Sequence, residues 1–101
     1  MTTDRELLEM AAKAARYQYA KHGGYIVVDG IPGNWNPLSD DGDALRLAVK
    51  LEIDLWFGCG GLSAHGLAMD IEEDYGRDPY AATRRAIVRA AAEAGAKEAG
   101  K

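Results

Sequence analysis

Ile53-Asp54-Leu55-Trp56-Phe57 and His65-Gly66-Leu67-Ala68-Met69-Asp70-Ile71 are two alternating runs joined by Gly58-Cys59-Gly60-Gly61-Leu62-Ser63-Ala64. In the first, Ile53, Leu55 and Phe57 point one way and Asp54 and Trp56 the other. In the second, Leu67, Met69 and Ile71 oppose Gly66, Ala68 and Asp70. Side chains alternate between the two faces of a strand, so two such runs joined by a glycine-rich loop predict an antiparallel hairpin. Glu72 to Arg77 then reads as an acidic loop.

Working outward, helices flank the hairpin. Asp78-Pro79 starts one, with Asp as N-cap and Pro in the first turn. Tyr80, Ile87, Val88 and Ala91 share one face, Arg85, Arg89 and Glu93 the opposite one, and Gly95 predicts the stop, at about Ala94. Upstream, Ser39-Asp40-Asp41-Gly42-Asp43 places acids at a helix N-terminus. The helix that follows, about Asp41 to Leu51, has only Asp43, Arg46 and Lys50 as a polar stripe, so it is expected to be mostly buried. Tyr25 to Asp29 is β-branched and reads as a short strand. Gly30-Ile31-Pro32-Gly33-Asn34 is turn chemistry. Thr3-Asp4-Arg5-Glu6 fits a capping box for a first helix over about Asp4 to Ala20, with His22-Gly23-Gly24 as its exit. The order is α-β-α-β-β-α: an α/β (α+β) fold read as a three-layer α-β-α sandwich on a small three-stranded, mainly antiparallel sheet. Residues 1–95 form one domain and 96–101 a frayed tail, since 101 residues leave no room for a second core.

Trp35-Asn36-Pro37-Leu38-Ser39-Asp40-Asp41-Gly42-Asp43-Ala44-Leu45-Arg46-Leu47-Ala48-Val49-Lys50-Leu51 resembles the signature of small phage and prophage proteins carrying the phage ABA sandwich domain. The segment from Asp78 to Glu93 resembles that family's C-terminal part, and Asp4 to Ala15 its opening. The resemblance implies a phage origin and an α-β-α sandwich. It carries no catalytic residue with it.

Composition narrows the function. A formal charge of −4 argues against non-specific nucleic-acid binding, which depends on cationic side chains neutralising phosphate. The lone Cys59 allows no internal disulfide. The charged N-terminus lacks the apolar core of a signal peptide, and no run approaches a membrane span, so the host cytoplasm is the expected location, with no membrane contact.

Each group of chemically capable residues has a structural explanation beside the functional one. Asp40, Asp41 and Asp43 cap a helix and lack the alternate spacing of a calcium loop. Asp54 and Asp70 are the only candidate acid–base pair. His22, Cys59 and His65 lack the paired spacing of zinc ligands, and nothing in the sequence activates Cys59 for attack with His65 as base. No metal, cofactor or catalytic residue is therefore assigned.

The candidate interaction residues are Trp35, Trp56, Gly60, Gly61, Arg84, Arg85 and Arg89. The tryptophans are candidate interface anchors, the glycines form a loop tip where a partner could touch, and the arginines are the one basic cluster, with Arg77 nearby in sequence. The expected function is a non-enzymatic binding module acting on a host or phage protein. Acids at Glu72, Glu73 and Asp74, with Asp40 and Asp41, could present it with a likeness of a nucleic-acid backbone. The alternative is a small oligomer that sequesters an anionic small molecule, such as a nucleotide, through the arginines and the glycine tip. A homodimer is expected because the core is Ala-rich and thin, the second helix almost lacks a polar face, and a short sheet has edges to pair.

Overall fold

The computed structural model describes residues 3–19, 26–28, 31–33, 35–66 and 69–99. The first helix, α1 (Asp4–Ala14), begins at the expected capping box: the Thr3 hydroxyl accepts from the Glu6 amide at 3.1 Å. In return, the Thr3 backbone and hydroxyl bond the Glu6 carboxylate, holding it below its ordinary value of 4.5. That support is present above the ordinary value and is lost as pH falls through the lowered one.

The helix ends earlier than the sequence suggests. Arg16 takes a left-handed φ of 62°, and Tyr17 N–H reaches back to the Ala12 carbonyl at 2.9 Å, closing a Schellman turn without glycine. The expected exit at His22-Gly23-Gly24 lies outside the described residues. Beyond the turn come β1 (Gln18–Tyr19), β2 (Ile26–Val28) and β3 (Ile31–Gly33), a small antiparallel sheet in that order. Ile31–Gly33 is thus strand rather than turn. Pro32 pairs with Val27 on an edge strand, where a missing N–H is tolerated.

The second helix, α2 (Asp41–Lys50), is capped by Asp40, which accepts from the Asp43 amide at 2.8 Å. Asp43 in turn accepts from the Asn36 amide at 3.0 Å and from Arg46 at 2.7 Å. This helix is not mostly buried. Ala44, Leu47 and Ala48 face the core, while Leu45 and Val49, one turn apart, are 60% and 70% exposed. It also ends in a Schellman turn, with Glu52 at φ 54° and Ile53 N–H bonded to Ala48.

The hairpin region forms a separate three-stranded antiparallel sheet: β4 (Asp54–Phe57), β5 (Gly61–His65) and β6 (Asp70–Asp74). The expected strand from His65 to Ile71 is instead the junction of β5 and β6, with Leu67 and Ala68 outside the described residues. The glycine-rich loop shrinks to a tight turn at Cys59-Gly60, closed by Gly58 N–H to the Gly61 carbonyl at 2.8 Å. Leu62 and Ala64 then alternate inward against Gly61, Ser63 and His65. The acidic stretch is strand as far as Asp74, because Ile71 and Glu73 turn inward between the exposed Asp70, Glu72 and Asp74. At Gly61, a Cβ would collide with the Glu73 carbonyl, so close strand approach requires glycine there.

The last helix, α3 (Pro79–Ala99), starts on Asp78, which accepts from the Tyr80 and Ala81 amides at 3.0 and 3.1 Å. It runs through Gly95 rather than stopping there. Gly95 is the point at which α1 presses closest: a Cβ would fall on the Met10 carbonyl oxygen. Ala82, Ala86, Ile87, Val88, Ala90, Ala91 and Ala92 are all buried, so α3 is enclosed on nearly every side. Ala90 meets Gly66 at the end of β5, Gly95 meets α1, and Arg84 reaches the start of α2. The fold is therefore α+β and layered, with α3 between the β4–β6 sheet and the helices α1 and α2. No helix among the described residues is long and apolar enough to cross a membrane.

Gly95→Val should cost about 1–3 kcal/mol in urea unfolding, because the rigid α1–α3 contact cannot absorb a branched side chain. Gly60→Ala, with open space around it, should change stability by less than about 0.5 kcal/mol. Glu52→Gly should stabilise by about 1 kcal/mol through relief of the left-handed turn.

Candidate functional site

Residues directly opposite one another in an antiparallel ladder share a face. The register therefore sorts the sheet completely. Leu55, Phe57, Leu62, Ala64, Ile71 and Glu73 lie on the α3 side. The outer face carries two rows: Asp54, His65 and Asp70, then Trp56, Ser63 and Glu72, with Gly61 and Asp74 beyond. Trp56 is 67% exposed and stands edge-on to His65, with ring centroids 5.9 Å apart.

Three of these outer residues form a chain of hydrogen bonds. His65 Nδ1 lies 2.9 Å from Asp70 Oδ1, and His65 Nε2 lies 3.0 Å from Ser63 Oγ. An ionised carboxylate only accepts, so in the neutral ring the proton sits on Nδ1 and Nε2 accepts from the Ser63 hydroxyl. That is the polarity of a Ser-His-Asp relay. Acyl transfer also needs donors aimed at a developing oxyanion. The backbone amides around Ser63 lie in the plane of the sheet and belong to its ladders, and the neighbour across from Ser63 on β6 is the carboxylate of Glu72. The relay orients His65 and polarises a hydroxyl on an acidic, open face. Among the described residues, the amides of β5 are spent on the ladders to β4 and β6 rather than aimed at a developing oxyanion.

The second feature is a groove of about 620 Å³ between α2, β4 and the start of α3. Leu45, Leu55, Phe57 and Tyr80 are among the residues lining it, and Leu45, Phe57 and Tyr80 are 60%, 63% and 71% exposed. Its charged members, Asp41 and Arg84, are already bonded to each other at 2.5 Å.

The residues expected to carry function are scattered. Trp35 is half-buried, packs against the core and meets the Tyr17 ring edge-on at 5.5 Å. Trp56 stands on the outer face. Arg84 bonds the Leu38 carbonyl at 2.8 Å as well as Asp41; Arg89 bonds Glu73 on β6; Arg85 lies 3.8 Å from Asp4. Each arginine thus answers a different acid, and together they form no common anion cradle. Gly60 is exposed at the turn, and Gly61 is a paired strand residue.

Cys59 sits in the turn before β5 and His65 at the strand's far end, so no thiol–imidazole pair forms. Asp54 and Asp70 flank His65 from the two outer strands, about 10 Å apart across two strand spacings, so they do not form a carboxylate pair. His22 lies outside the described residues. Among the described residues no group of three His, Cys, Asp or Glu side chains is placed to hold a metal ion. Reading Ser63 as part of a loop conceals the Ser63–His65–Asp70 chain. Once β5 begins at Gly61, Ser63 and His65 fall on one face.

No protein-family model matches the chain, and neither the curated proteins nor the solved structures contain a significant match.

Long-range ¹H–¹⁵N spectra at pH 8 should show His65 as the Nδ1–H tautomer, and Asp70→Asn should weaken that preference. Hydrolysis of p-nitrophenyl acetate should be the same for the wild type and Ser63→Ala. Turnover that falls on removing Ser63, His65 or Asp70 would instead mark the relay as an acyl-transfer centre.

Proposed function

We propose that this protein is a non-enzymatic binding module, an accessory protein of phage or prophage origin that acts on a host or phage protein in the host cytoplasm. The origin rests on the sequence resemblance described above. The binding role rests on one observation: three large apolar side chains, Leu45, Phe57 and Tyr80, are exposed around a single groove. Contiguous apolar surface on a small chain, rimmed by polar residues, is characteristic of a protein-interaction site. The segment that fits it presents apolar side chains, since the groove's own charges are satisfied by each other. Sequestration of an anionic small molecule has less support, because the arginines that would hold it are engaged with Asp41, Glu73 and Asp4.

Leu45→Asp and Tyr80→Asp, both at exposed positions, should leave the circular dichroism spectrum unchanged. Each should abolish co-purification of a stoichiometric partner that the wild type retains. Absence of such a partner for the wild type, from cells with and without phage, would overturn the reading.

A further inference from the structure

We propose that two copies of this chain pair through the free edge of β4, antiparallel about a twofold axis, with Trp56 set directly across from the partner's Trp56. β4 is an outermost strand of its sheet, and among the described residues it is hydrogen-bonded only to β5. Its only charge is Asp54 at the start of the strand; it has no Pro, Lys or bulge, and Trp56 and Phe57 are 67% and 63% exposed. The opposite edge, β6, differs sharply, since Asp70, Glu72 and Asp74 would repel a second copy of themselves. Charge therefore selects β4 as the edge that can meet its own image.

The backbone then fixes the register. Gly58 N–H bonds the Gly61 carbonyl, so Gly58 and Gly61 are a hydrogen-bonded pair. Alternation along the ladder makes Trp56–Ser63 and Asp54–His65 hydrogen-bonded pairs as well. The N–H and C=O groups of Leu55 and Phe57 consequently point away from β5, at the open edge. A twofold axis perpendicular to the sheet keeps both α3 faces on the same side, so an outer-face residue must meet an outer-face residue.

Of the registers with matched faces, two centre on the middle residues of β4. With Leu55 across from the partner's Leu55, Asp54 lies beside the partner's Trp56, and the outward groups of Phe57 face a residue beyond the strand. With Trp56 across from the partner's Trp56, Leu55 and the partner's Phe57 exchange hydrogen bonds in both directions. Asp54 then faces the partner's Gly58. This second register uses every outward group of Leu55 and Phe57, pairs aromatic with aromatic at the close, non-hydrogen-bonded position, and opposes no like charges. Short paired strands are a small interface by themselves. The exposed Leu45 of α2, which lines the groove beside Leu55 and Phe57 of β4, extends the apolar surface next to that edge. The pairing would also place two grooves next to each other on one face, so it adds to the binding role and stands whether or not a partner enters the groove.

The test uses the full chain with Cys59→Ser, so that introduced thiols are the only ones. Trp56→Cys should cross-link under mild oxidation to twice the mass of the 10.9 kDa chain, since cross-strand Cα separations at such a position suit a disulfide. Glu72→Cys, on the same face at the other edge, should not cross-link, because β4 pairing keeps the two β6 strands apart. Light scattering of the unmodified protein should show the doubled mass, falling on dilution. Three results would each overturn the proposal: a mass that stays at 10.9 kDa at every concentration, no cross-link in the Trp56→Cys variant, or cross-linking of the Glu72→Cys variant as readily as of Trp56→Cys.

Discussion

The close approach of α1 to α3 is the constraint on which the rest of this structure depends. Gly95 of α3 lies against the α1 backbone at Met10 and Ala14, and both helices bury mostly alanine: Ala11, Ala12, Ala14 on α1 and Ala82, Ala86, Ala90, Ala91, Ala92 on α3. Burying a methyl group removes little area from water, so each of these contacts contributes little hydrophobic free energy. What small residues provide is proximity, with many weak dispersion contacts between tightly packed backbones. The larger apolar groups, Leu47, Ile53, Leu62, Ile71, Ile87 and Val88, fill the remaining space around α3. A core so thin tolerates little disturbance at its closest contact.

With α3 at the centre, the division of the surface follows. The inner face of the sheet is committed to α3, and its outer face is left to polar and charged residues plus Trp56. The alanine face of α2 turns inward, which rotates Leu45 and Val49 outward. The apolar groove exists because of that rotation. Its floor is the margin of the core, and its rim is made of the side chains that the small core has no room to enclose.

Electrostatics fasten the layers at their periphery. Arg84 joins α3 to the start of α2, with its side chain only 17% exposed, and Arg89 joins α3 to β6. Exposed ion pairs contribute little to stability, but a partly buried arginine bonded to both a carbonyl and a carboxylate specifies where two elements meet. The arginines are thus consumed by the architecture.

Local chemistry was legible in the residues themselves. Thr3 with Glu6, Asp40 and Asp78 start the helices where their side chains can accept backbone amides, and the alternation through β4 marks a strand. These features depend on neighbours a few residues away, so a linear reading reaches them. The exits at Arg16 and Glu52 were not legible, because a left-handed turn at a non-glycine residue leaves no composition signal. Nor was the role of Gly95, which reads as a helix stop until the Met10 carbonyl is seen against it. The site divides in the same way. The sequence by itself determined that Asp54 and Trp56 would alternate with Ile53, Leu55 and Phe57 along a short strand. Only the tertiary structure decided that Ser63, His65 and Asp70 would join across two strands, that the arginines would part company, and that Leu45 would meet Phe57 and Tyr80 in one groove. Those outcomes depend on strand register and helix rotation, which are set by packing between segments far apart in the chain.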